Sequence, residues 1–374
     1  MNELVAIDLP PGDAFVVALR RIWDRGDAAF PIDHRLPVPA RQRLVDALRP
    51  GRILDRSGET EWLDGAPVES GDALVMATSG TTGEPKGVVL THAALAASAR
   101  ATSEALGVDP ERDHWVSCLP LAHIGGMSVV TRSLVTSTRL SVLDRFDPAE
   151  VEVLGRRGAT LISLVATALR RVDASGYRAV LLGGAAPPAR VATNVITTYG
   201  MTESGSGVVY DGLPLPGVEI RIDRPGTDGS GEIHLRGAML LRSYRFTPSP
   251  LDADGWLPTG DGGRLFDGRL EVHGRLTEVI VSGGEKIWPI PVEQLLATAP
   301  GVAEAAVWKR ADPEWGERVV AWVVPDDPAR PPLLDELRAV IQAELAPYCA
   351  PKELVLLAEL PRAPGGKVLR RQLI

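Results

Sequence analysis

Cysteine is almost missing from this 374-residue chain. The two present, Cys118 and Cys349, lie far apart and show no metal-ligand spacing, which argues against a disulfide framework or a cysteine-built metal centre. Two unpaired thiols in a reducing compartment are expected instead. Long apolar runs are missing too. No stretch approaches the roughly eighteen uncharged apolar residues of a spanning helix, so no integral membrane segment is expected. The opening MNELVAIDLPPGDAF carries early acids and lacks an apolar h-region, so no secretory signal is expected and the chain is assigned to the cytoplasm. Positive charge is in deficit: 40 Lys and Arg face 48 Asp and Glu, a formal net charge of −8. That balance argues against nucleic acid as a partner and leaves local basic clusters for small anions. A homo-oligomer is compatible with all of this.

What is present fits a globular protein, with 45% hydrophobic and 24% charged residues. The length is too great for one core and suggests two or three units. The stretch Thr78-Ser-Gly-Thr-Thr-Gly-Glu-Pro-Lys-Gly87 sits between two apolar runs, Ala73–Ala77 and Val88–Leu90, that read as short buried strands. Gly80 and Gly83 let the backbone aim N–H groups at an anion. Ser79, Thr81 and Thr82 add hydroxyl donors, and Lys86 adds a point charge suited to a polyphosphate. The P-loop pattern Gly-x4-Gly-Lys-[Ser/Thr] is absent, and a proline precedes the lysine.

In chain order, residues 1–70 suggest helices around Asp13–Trp23 and Ala40–Leu48, a Pro-rich connection between them, and a turn-rich stretch; this segment reads as scaffold. From Asp72 to Tyr199 strands and helices alternate, the mark of an α/β layer with a mostly parallel sheet. Expected helices include His92–Leu106, Gly125–Ser137, Pro148–Arg157 and Thr167–Asp173. Residues 213–273 turn to short strands broken by Gly, Pro and Asp, a small β-subdomain. The remainder reads as about a hundred residues of α+β, a second small domain.

The ten-residue string TSGTTGEPKG resembles the signature loop of the adenylate-forming superfamily of acyl-CoA synthetases, peptide-synthetase adenylation domains and luciferases. Five further stretches resemble that superfamily in order: Leu119–Gly126 (LPLAHIGG), Tyr199–Glu203 (YGMTE), Thr259–Asp261 (TGD), Gly274–Glu285 (GRLTEVIVSGGE) and Pro364–Arg370 (PGGKVLR). The likeness implies an α/β fold: a large multi-layer N-terminal domain over residues 1–274, with a shortened N-terminal portion, mostly parallel sheets and the β-subdomain, and a small mobile α+β lid over 278–374. It implies carboxylate activation by ATP with Mg²⁺, then transfer to the thiol of CoA.

The same resemblance distributes the roles. Thr78, Ser79, Gly80, Thr81, Thr82, Gly83 and Lys86 hold phosphates, and Glu203 is the Mg²⁺ ligand. Tyr199 stacks on adenine, with Gly183, Gly184, Gly200 and Met201 around the nucleotide. Thr202 meets the α-phosphate, Asp261 the ribose hydroxyls and Arg275 the ribose or phosphate. Lys367 bridges the attacking carboxylate and the α-phosphate, neutralising charge as it builds. His123 lines the acid pocket and gates between the steps, Gly283 and Gly284 pass the pantetheine arm, and the lid pivots near 275–278. The pivot position is Thr277, where aspartate or lysine is more usual.

For the acid, Arg132 stands on the apolar helix nine residues after His123. A buried arginine there implies a second carboxylate or other anion on the substrate, because an unpaired buried charge is costly. LPLAHIGGMSVVTRSL, SLVATAL, LLGGAAPP and TYGMTESGSGVVYDGLPLPGVEIRI resemble the short o-succinylbenzoate–CoA ligases of menaquinone synthesis, with Ser163 and Gly184 as neighbours of His123 and Arg132 in the pocket. Alternative readings are another acyl- or aryl-CoA ligase, a stand-alone adenylation module loading a carrier protein, or an AMP-binding regulatory module.

Overall fold

Short, continuously apolar runs make the strands of the first sheet. Leu4–Ile7 and Ala28–Pro31 are buried at every position, as strands covered on both faces must be. The structure, a computed structural model, describes residues 2–79, 85–185, 191–362 and 368–373. In it, seven strands line up in the order Ser243–Tyr244, Pro85–Thr91, Asp72–Ser79, Ala28–Pro31, Leu4–Ile7, Arg52–Asp55 and Gly58–Glu61. The three central pairings, from Asp72–Ser79 across to Arg52–Asp55, are parallel and the outer ones antiparallel. This corrects the reading of residues 1–70 as helices and turns alone. Both helices are present, at Asp13–Asp24 and Val38–Leu48, but four strands accompany them and join the sheet that carries the glycine-rich loop.

A second seven-stranded sheet runs Leu213–Pro214, Ser206–Tyr210, Val195–Met201, Ala179–Gly183, Leu161–Val165, His114–Ser117 and Arg139–Val142. Its five strands from Val195–Met201 onward are mutually parallel. Val116, Ile162, Leu164, Val180 and Tyr177 form its core with Val151 of the helix Pro148–Arg156. The helix His92–Leu106 starts where Thr91 Oγ1 accepts from Ala94 N at 3.1 Å and stops at Gly107, which takes φ +56. The helix expected over Thr167–Asp173 is one turn only, Ala166–Leu169. Beyond it, side chains take over the backbone: Asp173 Oδ1 accepts from Ser175 N, and Asn194 donates to the carbonyls of Ala174 and Tyr177.

The chain divides into two compact units, one of Met1–Gly184, Thr193–Ile220 and Leu235–Pro258, the other of Ala185–Ala192, Arg221–His234 and Thr259–Ile374. A four-stranded sheet, Glu219–Asp223, Gly231–Arg236, Leu257–Phe266 and Arg269–Arg275, falls mostly in the second. That unit also holds a five-stranded sheet built on the long hairpin Val302–Asp312/Gly316–Pro325. The helices Pro289–Leu296 and Leu334–Glu344 close its core through Val292, Leu296, Leu337 and Ile341.

Candidate active site

The glycine-rich loop spans the turn of an antiparallel hairpin, with Thr78 opposite Lys86 and Ser79 opposite Pro85. Gly80, Thr81, Thr82 and Gly83 lie outside the described residues, as does the side chain of Ser79. Thr78 Oγ1 donates to the Lys86 carbonyl at 3.4 Å. The Lys86 side chain is exposed, with its Nζ 5.4 Å from the centroid of the Tyr244 ring. The Tyr244 hydroxyl in turn donates to Glu203 Oε1 at 2.9 Å. Lys86 and Glu203 are thus both in contact with one tyrosine of the first unit, a residue that sequence reasoning missed. Nothing in a two-residue strand advertises such a role.

Tyr244 is firmly held. It pairs with Val88 on the hairpin strand. Next to it, Arg242 makes two 2.9 Å bonds to the buried carboxylate of Asp72 and a third to Glu69. On its other side, Arg245 donates to the carbonyls of Leu48, Arg49, Ala66 and Pro67. Burial among these carbonyls pulls the Arg245 guanidinium down to about 10.

The YGMTE segment closes Val195–Met201 and turns through one 3₁₀ turn, Thr202–Ser204. Ser204 Oγ accepts from Met201 N and donates to the Ser206 carbonyl at 2.7 Å, while Leu241 N donates to the Glu203 carbonyl at 2.7 Å. The Glu203 main chain is therefore fixed from both sides. Gly200 stands at a bulge in the pairing with Ser206–Tyr210, and any Cβ there would run into the Ser206 carbonyl. Gly183 ends the neighbouring parallel strand against Thr198, with Gly184 following it, at the carboxyl edge where ligands of open α/β sheets bind. Among the described residues no three His, Cys, Asp or Glu side chains cluster to hold a metal. One carboxylate with an uncommitted oxygen suits a hard cation that takes its remaining ligands from phosphate and water, which fits Mg²⁺.

On the acid side, His123 caps the helix Ile124–Thr136 and keeps an exposed face. Surrounding protein pushes its imidazole below the ordinary value; Asp33 opposes that and Arg35 adds to it. Asp33 and Arg35 pair with each other at 2.6 and 2.8 Å. They belong to the proline-rich connection that the sequence presented as scaffold, so that segment carries charge to the rim beside His123. Arg132 is 2% exposed, with Nη2 donating to Ser206 Oγ at 2.9 Å and its guanidinium 5.6 Å from the Trp115 ring centroid. Its Nε and Nη1 are buried with no partner among the described residues. Ser163 is buried on Leu161–Val165, one strand over from Gly183–Gly184. Neither thiol is poised for chemistry: burial pushes Cys118 up to about 12 and Cys349 to about 11.

In the second unit, Asp261 and Arg275 are register partners on adjacent strands, with Arg275 Nε 2.9 Å from Asp261 Oδ1. Arg275 Nη1 also donates to the Thr259 carbonyl at 3.0 Å. Thr277 lies in the 3₁₀ turn Leu276–Glu278 that follows. Gly283 and Gly284 form a hairpin turn at φ +62 and +89, and a Cβ on Gly283 would strike the Trp315 ring at 2.6 Å. Lys367 lies outside the described residues. Arg370, a little further on, is clamped between Glu278 and the half-buried Glu293 at 2.9 and 2.7 Å.

Comparison with known proteins adds lineage to this geometry. The AMP-binding enzyme family matches residues 42–245, and the AMP-binding enzyme C-terminal domain matches residues 291–367. A probable 2-succinylbenzoate–CoA ligase of Mycobacterium tuberculosis is 36% identical, with 99% of this chain and 97% of that protein covered. A 2-succinylbenzoate–CoA ligase of Enterococcus faecalis is also 36% identical, over 80% of this chain and 68% of its own length. Among solved structures, the o-succinylbenzoate CoA synthetase of Bacillus subtilis in complex with the acyl-adenylate intermediate OSB-AMP matches with a TM-score of 0.82 at 31% identity, covering 99% of this chain and 88% of that one. The same synthetase with ATP and magnesium ion gives 0.83 at 30% identity, covering 99% and 89%.

Proposed function

The chain belongs to the AMP-binding enzyme family, and from that premise we propose that it is an AMP-forming acid–thiol ligase whose acid is 2-succinylbenzoate. It converts 2-succinylbenzoate, ATP and CoA into 2-succinylbenzoyl-CoA, AMP and diphosphate, a step of menaquinone biosynthesis. A carboxylate oxygen attacks the α-phosphorus and the bond to diphosphate breaks. The CoA thiol then attacks the acyl carbon, loses its proton, and expels AMP.

Each half-reaction assigns work to particular residues. Lys86, Thr78 and the donors of Ser79–Gly83 grip the β- and γ-phosphates. Glu203 holds Mg²⁺, which when bound offsets the phosphate charge. Tyr199 stacks on adenine beside Gly183, Gly184, Gly200 and Met201, and Thr202 reaches the α-phosphate. Asp261 accepts from the ribose hydroxyls, with Arg275 beside it. Lys367 neutralises the two anions as they meet. After adenylation, residues 278–374 turn about 275–278, with Thr277 as the pivot, and Gly283–Gly284 admit the thiol arm. The reaction runs in the cytoplasm, where both thiols stay reduced.

The observation that carries the choice of acid is Arg132. A guanidinium 2% exposed, with two nitrogens lacking an acceptor among the described residues, asks for an anion on the substrate beyond the carboxylate being activated. His123 and Ser163 supply polar points around it. The test is diphosphate release over a panel of carboxylic acids with ATP and CoA. Turnover with 2-succinylbenzoate far above benzoate and medium-chain acids is expected. Equal turnover with the monocarboxylates would sink the assignment and favour a broader acyl- or aryl-CoA ligase.

A further inference from the structure

Lys86 and Glu203 carry opposite charges in the first unit, and among the described residues no ion pair joins them. Left to themselves, an exposed ammonium and a nearby carboxylate find each other, and a site closed on its own charges has nothing left for a polyphosphate and a cation. Tyr244 touches both of them. Its hydroxyl satisfies one oxygen of Glu203 at 2.9 Å, and its ring offers a π face to Lys86 Nζ at 5.4 Å. The first contact fixes the carboxylate's orientation while leaving Oε2 and further lone pairs open. The second attracts the ammonium without neutralising it.

The mounting of this side chain is stiffer than a two-residue edge strand needs. Tyr244 pairs in register with Val88, on the strand that also carries Lys86. Arg242 and Arg245 on either side are tied to a buried carboxylate and to four backbone carbonyls. A rigid mount is what preorganisation of a charged site demands.

We propose that Tyr244 is a positioning residue for the phosphate and metal corner: it sets Glu203 for the cation and holds Lys86 apart from it. This rests on the reading of the corner as the Mg²⁺–ATP site. The test uses Mn²⁺, a paramagnetic substitute for Mg²⁺, titrated by EPR against the full chain with a non-hydrolysable ATP analogue. In Tyr244→Phe, which keeps the ring and loses the hydroxyl, Mn²⁺ binding should weaken about tenfold. The Mg²⁺ concentration for half-maximal diphosphate release should rise by the same factor, with the KM for the acid and the melting temperature unchanged. Tyr244→Leu should in addition raise the KM for ATP. Mn²⁺ affinity of Tyr244→Phe within twofold of wild type would overturn the proposal. So would a loss that moves only in step with melting temperature and acid KM, since that marks a loosened strand. Wild-type protein that binds Mn²⁺ and nucleotide but releases diphosphate with no acid would count against the ligase reading alone, the EPR comparison still deciding Tyr244. Absence of Mn²⁺–nucleotide binding by wild type would overturn both.

Discussion

The proposed choice of acid rests on one side chain, Arg132. Its helix brings it inward, Ser206 takes one nitrogen, and Trp115 lines the guanidinium. The rest of its hydrogen-bonding capacity is buried and unmet among the described residues. A substrate carboxylate supplying those acceptors gains a charge-assisted bond, worth about 1–3 kcal/mol in the complex. Arg132→Ala should therefore raise the KM for 2-succinylbenzoate roughly 10–100-fold on that basis while leaving the KM for ATP within about twofold. Steady-state kinetics with each substrate varied in turn measure both. A parallel rise in the two constants would place Arg132 in the scaffold rather than in the acid pocket.

At the level of elements, the short strand Ser243–Tyr244 matters more than its length suggests. Its attachment to the hairpin depends on Arg242, whose partner Asp72 is 1% exposed and lies 170 residues away in sequence. Removing the arginine leaves a buried carboxylate without its cation, a loss on the order of 3 kcal/mol. Arg242→Ala should lower the denaturation midpoint by a corresponding amount and raise the KM for ATP, because Tyr244 loses its mount. Chemical denaturation and ATP kinetics on the same preparation test this; unchanged stability would show that the strand is held some other way. That long-range pairing also explains what the sequence could disclose. The helix His92–Leu106 was legible to the residue because its start and stop are local, a threonine cap and a left-handed glycine. The glycine-rich hairpin was legible because its chemistry is written in consecutive residues. The strands Leu4–Ile7 and Ala28–Pro31 were not. Four apolar residues buried on both faces show no periodicity, and their partners are set by parallel pairing across the sheet. Tyr244, Asp33 and Arg35 escaped for the same reason: their importance lies in distant neighbours.

Across the whole molecule, acid should weaken the fold before the carboxylates titrate. Desolvation holds the half-buried His114 and His273 below their ordinary value of 6.5, and the more exposed His92 and His123 shift the same way with less weight. In the unfolded chain these imidazoles take protons as pH falls through about 6.5, whereas the folded protein resists until lower pH. The unfolded state then binds more protons, so stability declines in that window. Burial pushes Glu293 up against the pull of Arg370, which works in the opposite sense, one group against four. Denaturation midpoints should be level above about pH 7.5 and fall from about 6.5 toward 5.5; a flat or rising profile there would contradict the lowered proton affinity of these imidazoles. Function at this scale depends on how far apart in sequence the decisive charges lie. Lys86 belongs to a hairpin of the first unit, Lys367 to the closing segment of the second, and Arg370 ties that segment's continuation to Glu278, next to the proposed pivot Thr277. If Lys367 serves only the step in which two anions meet, Lys367→Ala should abolish adenylation, read as isotope exchange between diphosphate and ATP. Thioester formation from supplied acyl-adenylate and CoA should survive, because an acyl carbon attacked by a thiol carries no such charge burden. Equal loss of both half-reactions would mean that the lysine supports the site as a whole, and the division of labour between the units would have to be drawn elsewhere.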